Sequence, residues 1–381
     1  MSISLFKLYL HSHGCTGLGC IYRVMGVFLL WSCLQGNGRA SIQVCLHDVE
    51  CLCSGRVYRM LVVSLFRSPR QAEQLLRAIY RPHNFYCIHV DAKAEAEVYD
   101  AIAAVGMCVP NVTVLRDRVV IRYGVKGNGI VRADLKCMRA ALDSEVPWKY
   151  LLTLSGEEFP LRTNLEMVRI LKLFRGANDL EMYPLHERLT RWINGSVISR
   201  GDVYRNGKLT LNSSPDKLQF RVLKGSAYGS FSRQYVEAVL EDRRAQTILQ
   251  WFNDTFAPEE LVWASINALP AIPGGYSVNV KHSRSQQASR AVVWRWDPYK
   301  CKGGYRHSVC VFTKDDLPWL KQQPQLMANK FMVEKDSHVL HCLEARLFHR
   351  AISGHVAVDY AYFESLPHVK LYREHGHSIV W

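Results

Sequence analysis

The chain has 381 residues, 48% hydrophobic and 11% aromatic, enough apolar content for a globular protein with one large core or two modest ones. Lys and Arg number 48 against 34 Asp and Glu, a formal charge of +14 that favours anionic partners such as nucleotide phosphates, nucleic acid or membrane surfaces. The basic residues are scattered, with no zinc-finger spacing, RNP-like aromatic signature or block of basic residues, so nucleic acid is set aside.

The first element is an apolar run over residues 24–34, preceded by Lys7 and Arg23. It falls short of the roughly 20 residues of a membrane span, although extension back to Gly17 takes in Arg23, whose long side chain can snorkel. A cleaved signal sequence and a weak signal anchor both fit, with a buried helix or strand as the remaining alternative. Residues 35–57 are polar, contain Gly and lack periodicity, which predicts a stem. Residues 1–57 are therefore read as anchor and stem, and 58–381 as the folded domain.

Within that domain residues 58–66 form a β-rich apolar run. Ser68-Pro69 then opens a helix whose Ala72, Leu75, Leu76 and Ile79 recur at helical spacing. Residues 85–90 are the next strand and end at Asp91. A helix is predicted over 92–105, a strand over 112–115, a helix over 133–141, a strand over 150–154, a loop over 155–160 and a helix over 164–173. Such alternation predicts an α/β domain with a mostly parallel central sheet and a ligand beyond the carboxyl ends of its strands, where Asp91 lies.

Twelve cysteines without a C-x-x-C pair, together with four N-x-S/T sequons at Asn111, Asn194, Asn212 and Asn253, suit an oxidising lumen better than metal knuckles. The P-loop, G-x-G-x-x-G, G-x-S-x-G and H-E-x-x-H patterns are all absent. No D-x-D triplet occurs either, so a carboxylate-held metal on a nucleotide diphosphate is not indicated. Fixed cations can neutralise such a group instead, and Lys330 with Arg306 or His307 are the candidates.

Glu259 and Glu260 follow Pro258 and precede an apolar-rich helical pattern. Acids there complement a helix dipole, and one of them could equally face a pocket as a general base. Trp294 and Trp296, at alternate positions, would share one side of a strand and offer faces to sugar rings, or pack in a core. Glu181, Arg188 and Arg191 could bind a polyhydroxylated acceptor or form ordinary solvated surface.

Several collinear segments carry a resemblance. They are Arg77 to Tyr80, Asn84 to Asp91, Ala133 to Met138, Trp148 to Leu151, Phe159 to Glu166, Gly225 to Tyr228, Asp254 to Glu260, Ser308 to Phe312 and Ala328 to Phe331. In order from about residue 58 to 350, they resemble the core 2 and I-branching β-1,6-N-acetylglucosaminyltransferases, glycosyltransferase family 14. The resemblance implies a GT-A-like catalytic domain in the Golgi lumen behind a single-pass type II anchor. It also implies inverting, metal-independent transfer from UDP-N-acetylglucosamine, in β-1,6 linkage, to a mucin-type O-glycan on a glycoprotein. I-branching, xylosyltransferase activity or an inactive glycan-binding relative are the alternatives.

On that likeness Glu260 is the base and Glu259 its exposed neighbour. Glu181, Arg188, Arg191, Trp294 and Trp296 contact the acceptor, with Arg188 where a lysine is usual and Trp296 where a tyrosine is. Tyr123 and Asp91 match positions near the nucleotide. The diphosphate is held by Lys330 together with either Arg306, reaching round through a bent backbone, or His307. The likeness pairs Cys87 with Cys137 and Cys301 with Cys310, and implies that Cys108 and Cys342 each bond an N-terminal cysteine among Cys45, Cys51 and Cys53.

Overall fold

The computed structural model describes residues 58–65, 69–109, 111–122, 127–184, 191–193, 196–199, 202–205, 208–209, 220–253, 255–276 and 287–375, with backbone alone for 58–65 and 191–209. The expected anchor and stem, 1–57, lie outside the described residues. Among the described residues no helix is long and apolar enough to cross a membrane.

The first half runs β1 (Tyr58–Leu65), α1 (Pro69–Ile79), β2 (Phe85–Val90), α2 (Ala96–Cys108), β3 (Val112–Val114), α3 (Gly129–Leu142), β4 (Trp148–Ser155), β5 (Glu158–Pro160) and α4 (Asn164–Leu173). Helix α2 starts four residues after its predicted position because Asp91 takes over the preceding turn. Its carboxylate accepts from Lys93 N at 3.0 Å and its carbonyl from Ala94 N at 2.9 Å. Helix α3 starts four residues early, since Ile130 and Val131 bury their side chains and extend the apolar face.

The chain continues through β6 (Asp179–Pro184), a small antiparallel sheet β7 to β10 (Arg191–Ile193, Ser196–Ser199, Asp202–Arg205, Lys208–Leu209) and β11 (Leu223–Ser232). Helices α5 (Arg233–Glu241), α6 (Arg243–Trp251) and α7 (Val262–Asn267) follow, with a 3-10 turn at Pro258–Glu260 just before α7. The remainder contains β12 (Arg290–Val292), β13 (Tyr305–Arg306), β14 (Val309–Cys310), α8 (Leu317–Leu320), β15 (Met327–Asn329), α9 (Ser337–Ser353), α10 (Tyr360–Ser365) and α11 (Pro367–His375).

Six strands form the central sheet in the order β3-β2-β1-β4-β11-β6. The pairings β2 to β3, β1 to β2 and β1 to β4 are parallel, while β11 runs antiparallel between β4 and β6, so the sheet is mixed. Strand β2 is buried at every position, because helices cover both faces of the sheet and polar alternation has no use there. One apolar layer gathers α1, α2, α4 and α9, and the opposite layer α3, α5, α6 and α7. A second, three-stranded sheet β12-β15-β5 leans on the end of β4 and carries Arg290, Asn329 and Glu158.

Among the described residues, two disulfides brace this frame. Cys87–Cys137 ties β2 to α3 across 50 residues, and Cys301–Cys310 closes the loop that leads into β14. A loop of that length constrains the unfolded chain by about 4 kcal/mol on the chain-entropy account. The double variant Cys87→Ala, Cys137→Ala should therefore unfold at a clearly lower urea midpoint. Cys342, expected in a bridge, is a free thiol on an exposed face of α9; its expected partners, and the side chain of Cys108, lie outside the described residues.

Candidate active site

Glu260 ends the Pro258–Glu260 turn, entered through Ala257 in the left-handed region at φ 46°. Glu260 N donates to Ala257 O at 3.2 Å and Leu261 N to Pro258 O at 2.9 Å, which fixes the turn against α7. The two acids then diverge. Glu260 keeps a third of its side chain open, and Lys224 Nζ stands 3.3 Å from its Oε2. Glu259, expected to be the exposed neighbour, is instead buried at 3% exposure. In a three-residue turn consecutive side chains point roughly a third of a revolution apart, so exposing one drives the other inward.

Buried Glu259 has company. Asp134 of α3 is also buried, and burial, reinforced by the charge of Glu259 and opposed by Arg290, holds its carboxyl well above the usual carboxylate range. The start of α3 is fastened to the same region, since Gly127 N donates to Thr255 O at 3.4 Å and Asn128 Nδ2 to Asn253 Oδ1 at 2.7 Å. Opposite the turn, Gly225 permits β11 to approach closely. A Cβ there would meet Glu181 O at 2.3 Å and the Ala264 Cβ at 3.0 Å. Glu181 itself lies half-buried on β6.

The cationic candidates gather about Glu157, in the turn between β4 and β5. Lys330 Nζ lies 3.0 Å from Glu157 Oε2 and Arg306 Nη1 3.6 Å from Glu157 Oε1, so one carboxylate joins both cations. Arg306 arrives there because His307 and Ser308 both have positive φ, 50° and 66°, making a two-residue reversal between β13 and β14. That reversal leaves His307 exposed at the hairpin tip. The geometry joins Arg306, not His307, to Lys330.

Behind these cations lies a buried polar floor. Arg290 Nε bonds Glu158 Oε2 at 2.9 Å with both groups almost fully buried, and its Nη2 donates to Thr153 O. Asn329 Nδ2 donates to Glu158 Oε1 at 3.2 Å and to Ser155 Oγ at 3.3 Å. Tyr228 of β11 packs its ring under Arg290 at 4.8 Å. Strand β11 thus carries Lys224 beside Glu260 and Tyr228 beside Arg290.

Asp91 and His89, two residues apart at the end of β2, catch alternate amides of one segment. Val119 N donates to His89 Nε2 at 2.9 Å and Ile121 N to Asp91 Oδ1 at 3.2 Å. Burial, reinforced by Lys136 and Arg118 against the pull of Asp91, lowers the His89 pKa to about 4 from 6.5. A neutral histidine is required for the Val119 bond. The stabilisation is therefore complete above pH 6.5 and is lost as pH falls from there through about 4. Unfolding free energies measured over that window should slope in the parent protein and flatten in His89→Gln.

Trp294 and Trp296 do not share a strand. Trp294 makes a single bridge to Val309 beyond β12, and the chain then turns, with Asp297 N donating to Trp294 O at 2.9 Å. The turn stacks the two rings at 5.1 Å and 16°, with Trp296 63% exposed. Tyr123, Arg188, Asn194, Asn212 and the side chain of Arg191 lie outside the described residues. Asn111 Nδ2 donates to Arg81 O and Asn84 O, so both amide hydrogens serve the fold, whereas Asn253 is exposed. Among the described residues, Cys301, Cys310 and Asp316 have metal-ligand spacing, but both cysteines are spent in a disulfide.

Lys224 and Glu157 were not singled out from the sequence. Lys224 directly precedes the Gly225 to Tyr228 segment, and Glu157 sits in the predicted loop beside Glu158. Their importance comes from partners distant in the chain, which no local pattern reveals.

An α/β domain that sets a half-open acid beside a lysine, and a cation pair beyond its sheet, has the parts of a group-transfer site for an anionic leaving group. The family model described as Core-2/I-Branching enzyme matches residues 62–321, and the chain belongs to that family. Among its relatives is the β-1,3-galactosyl-O-glycosyl-glycoprotein β-1,6-N-acetylglucosaminyltransferase 3 of Rattus norvegicus, 36% identical over 294 residues. Proteins of the same name without the number, from Bos taurus and Homo sapiens, are 39% and 38% identical over 296 and 293 residues. Each match covers 74% of this chain. The chain spans 66% of the rat relative and 67% of the other two, about two thirds of their length.

Proposed function

We propose that the protein transfers N-acetylglucosamine from UDP-N-acetylglucosamine to the 6-hydroxyl of a mucin-type O-glycan, inverting the anomeric carbon without a metal. The observation that carries the reading is the pairing of Glu260 with Lys224 and the gathering of Lys330 and Arg306 about the Glu157 carboxylate. The names of the family and of its relatives support the acceptor class.

In this mechanism a Glu260 carboxylate oxygen accepts the proton of the attacking hydroxyl while that oxygen bonds to the anomeric carbon. The bond from that carbon to the phosphate oxygen breaks on the opposite face, and the electron pair leaves with UDP. Lys330 and Arg306 stabilise the charge that develops there. Lys224 holds the Glu260 carboxylate in place. The stacked Trp294 and Trp296 offer a flat face to an acceptor sugar, with Glu181 as a polar contact. Golgi residence as a type II membrane protein, anchored through residues 1–57, belongs to the same proposal.

The test is UDP release from UDP-N-acetylglucosamine with a mucin-type disaccharide acceptor in EDTA, followed by linkage analysis of the product. A β-1,6 product on the N-acetylgalactosamine supports core 2 branching. A branch on galactose, a requirement for UDP-xylose or an absence of turnover would each overturn it.

A further inference from the structure

Glu157 is a third charged group in the cation cluster, and it carries the wrong sign for a diphosphate site. From the geometry we infer that Glu157 is an internal counter-ion, which occupies the donor's diphosphate position and must be displaced for the donor to bind. The inference rests on the proposed donor site.

Several contacts lead to it. Each Glu157 carboxylate oxygen faces a different cation, Oε2 the Lys330 ammonium at 3.0 Å and Oε1 the Arg306 guanidinium at 3.6 Å, so the carboxylate bridges them as a phosphate would. All three side chains are only partly open, between 16% and 29%, which makes the site a recess in contact with water. The backbone beneath is pinned. Phe331 N donates to Glu157 O at 2.7 Å, and Gln71 Nε2 bonds both Gly156 O at 2.9 Å and Phe331 O at 3.0 Å. With the loop held, the carboxylate leaves the cations by rotating its side chain.

Two cations close together repel, and an acid between them keeps them poised while the site is empty. A diphosphate entering the recess meets that carboxylate as a like charge and competes with it for the same donors. Part of the donor's binding energy is then spent on exchange of one anion for another, which weakens retention of the UDP product as well. Arg306 has a further, weaker partner in Met332 Sδ at 3.3 Å, so it is not held by Glu157 alone.

Partly exposed ion pairs contribute roughly 0.2 to 1 kcal/mol each. Loss of two such competitors should therefore tighten UDP binding by roughly two- to thirtyfold. The experiment is UDP titration by calorimetry on the parent protein, Glu157→Gln, Glu157→Ala and Lys330→Ala, in EDTA and again with Mg²⁺. The expected result is tighter UDP binding in Glu157→Gln, with a matching fall in donor KM, and weaker binding in Lys330→Ala. Glu157→Gln keeps the side chain's shape, so a folding defect in Glu157→Ala leaves the test intact. Unchanged or weaker UDP binding in Glu157→Gln, with Lys330→Ala impaired, overturns this inference and leaves the donor site standing. UDP binding unaffected in Lys330→Ala overturns the donor site itself. Binding that rises with Mg²⁺ only while Glu157 is present would make Glu157 a metal ligand and overturn the counter-ion role.

Discussion

Glu260→Gln is expected to lower turnover by roughly 10²- to 10⁴-fold, the range associated with loss of a general base. UDP should bind that variant with nearly parental affinity. The amide matches the carboxylate in size and still offers Lys224 an oxygen, so the turn and its surroundings persist while the proton acceptor is gone. Steady-state kinetics should show the loss in kcat and kcat/KM together, since the interaction exists mainly in the transition state. Glu259→Gln is the comparison, and the structure changes what it reports. Because Glu259 is buried beside Asp134, its replacement removes a charge that helps to raise the Asp134 carboxyl and acts on stability, with Glu260 still in place to catalyse. Turnover in Glu260→Gln close to that of the parent enzyme would remove Glu260 from the mechanism.

The second large effect concerns the floor beneath the cations. Arg290→Met should destabilise the fold by about 3–5 kcal/mol, because it strands the Glu158 carboxylate in a site with almost no water. Asn329 remains as a donor to that carboxylate and cannot balance its charge. The damage should spread to function as well. Asn329 immediately precedes Lys330, and its two side-chain bonds set the end of β15 against Ser155 and Glu158. Urea unfolding should show a much lower midpoint, and UDP affinity measured on the remaining folded fraction should fall. The double variant Arg290→Met, Glu158→Met removes both charges and should recover much of the lost stability, since paired apolar replacements spare the desolvation of two ions. An unfolding midpoint in Arg290→Met equal to that of the parent would mean that the pair does not brace the floor.

Parts of this organisation were legible in the chain. The uninterrupted apolar run of β2, the helical spacing of Ala72, Leu75, Leu76 and Ile79, and Pro258 before two acids are local patterns, and local patterns report backbone periodicity directly. The resemblance also paired Cys87 with Cys137 and Cys301 with Cys310, and the structure contains both bridges. Helix starts were less legible, as Asp91 shows: a residue that ends a strand also captured the next turn through its own carboxylate.

The sequence by itself determined which side chains were available: one acid pair behind a proline, a lysine after Asn329, an arginine and a histidine side by side, and two tryptophans at alternate positions. Which member of each pair stays open, and which partner it meets, was decided by tertiary structure. The 3-10 turn buries Glu259 and opens Glu260, and the left-handed residues at His307 and Ser308 turn Arg306 toward Lys330. The turn after Trp294 stacks rings that strand geometry would have set side by side. Lys224 and Glu157 gain their roles from Glu260, Lys330 and Arg306, which are 36, 173 and 149 positions away in numbering. Those contacts depend on how sheets and helices pack, and side-chain charge acts through distance in space, to which sequence spacing gives no measure.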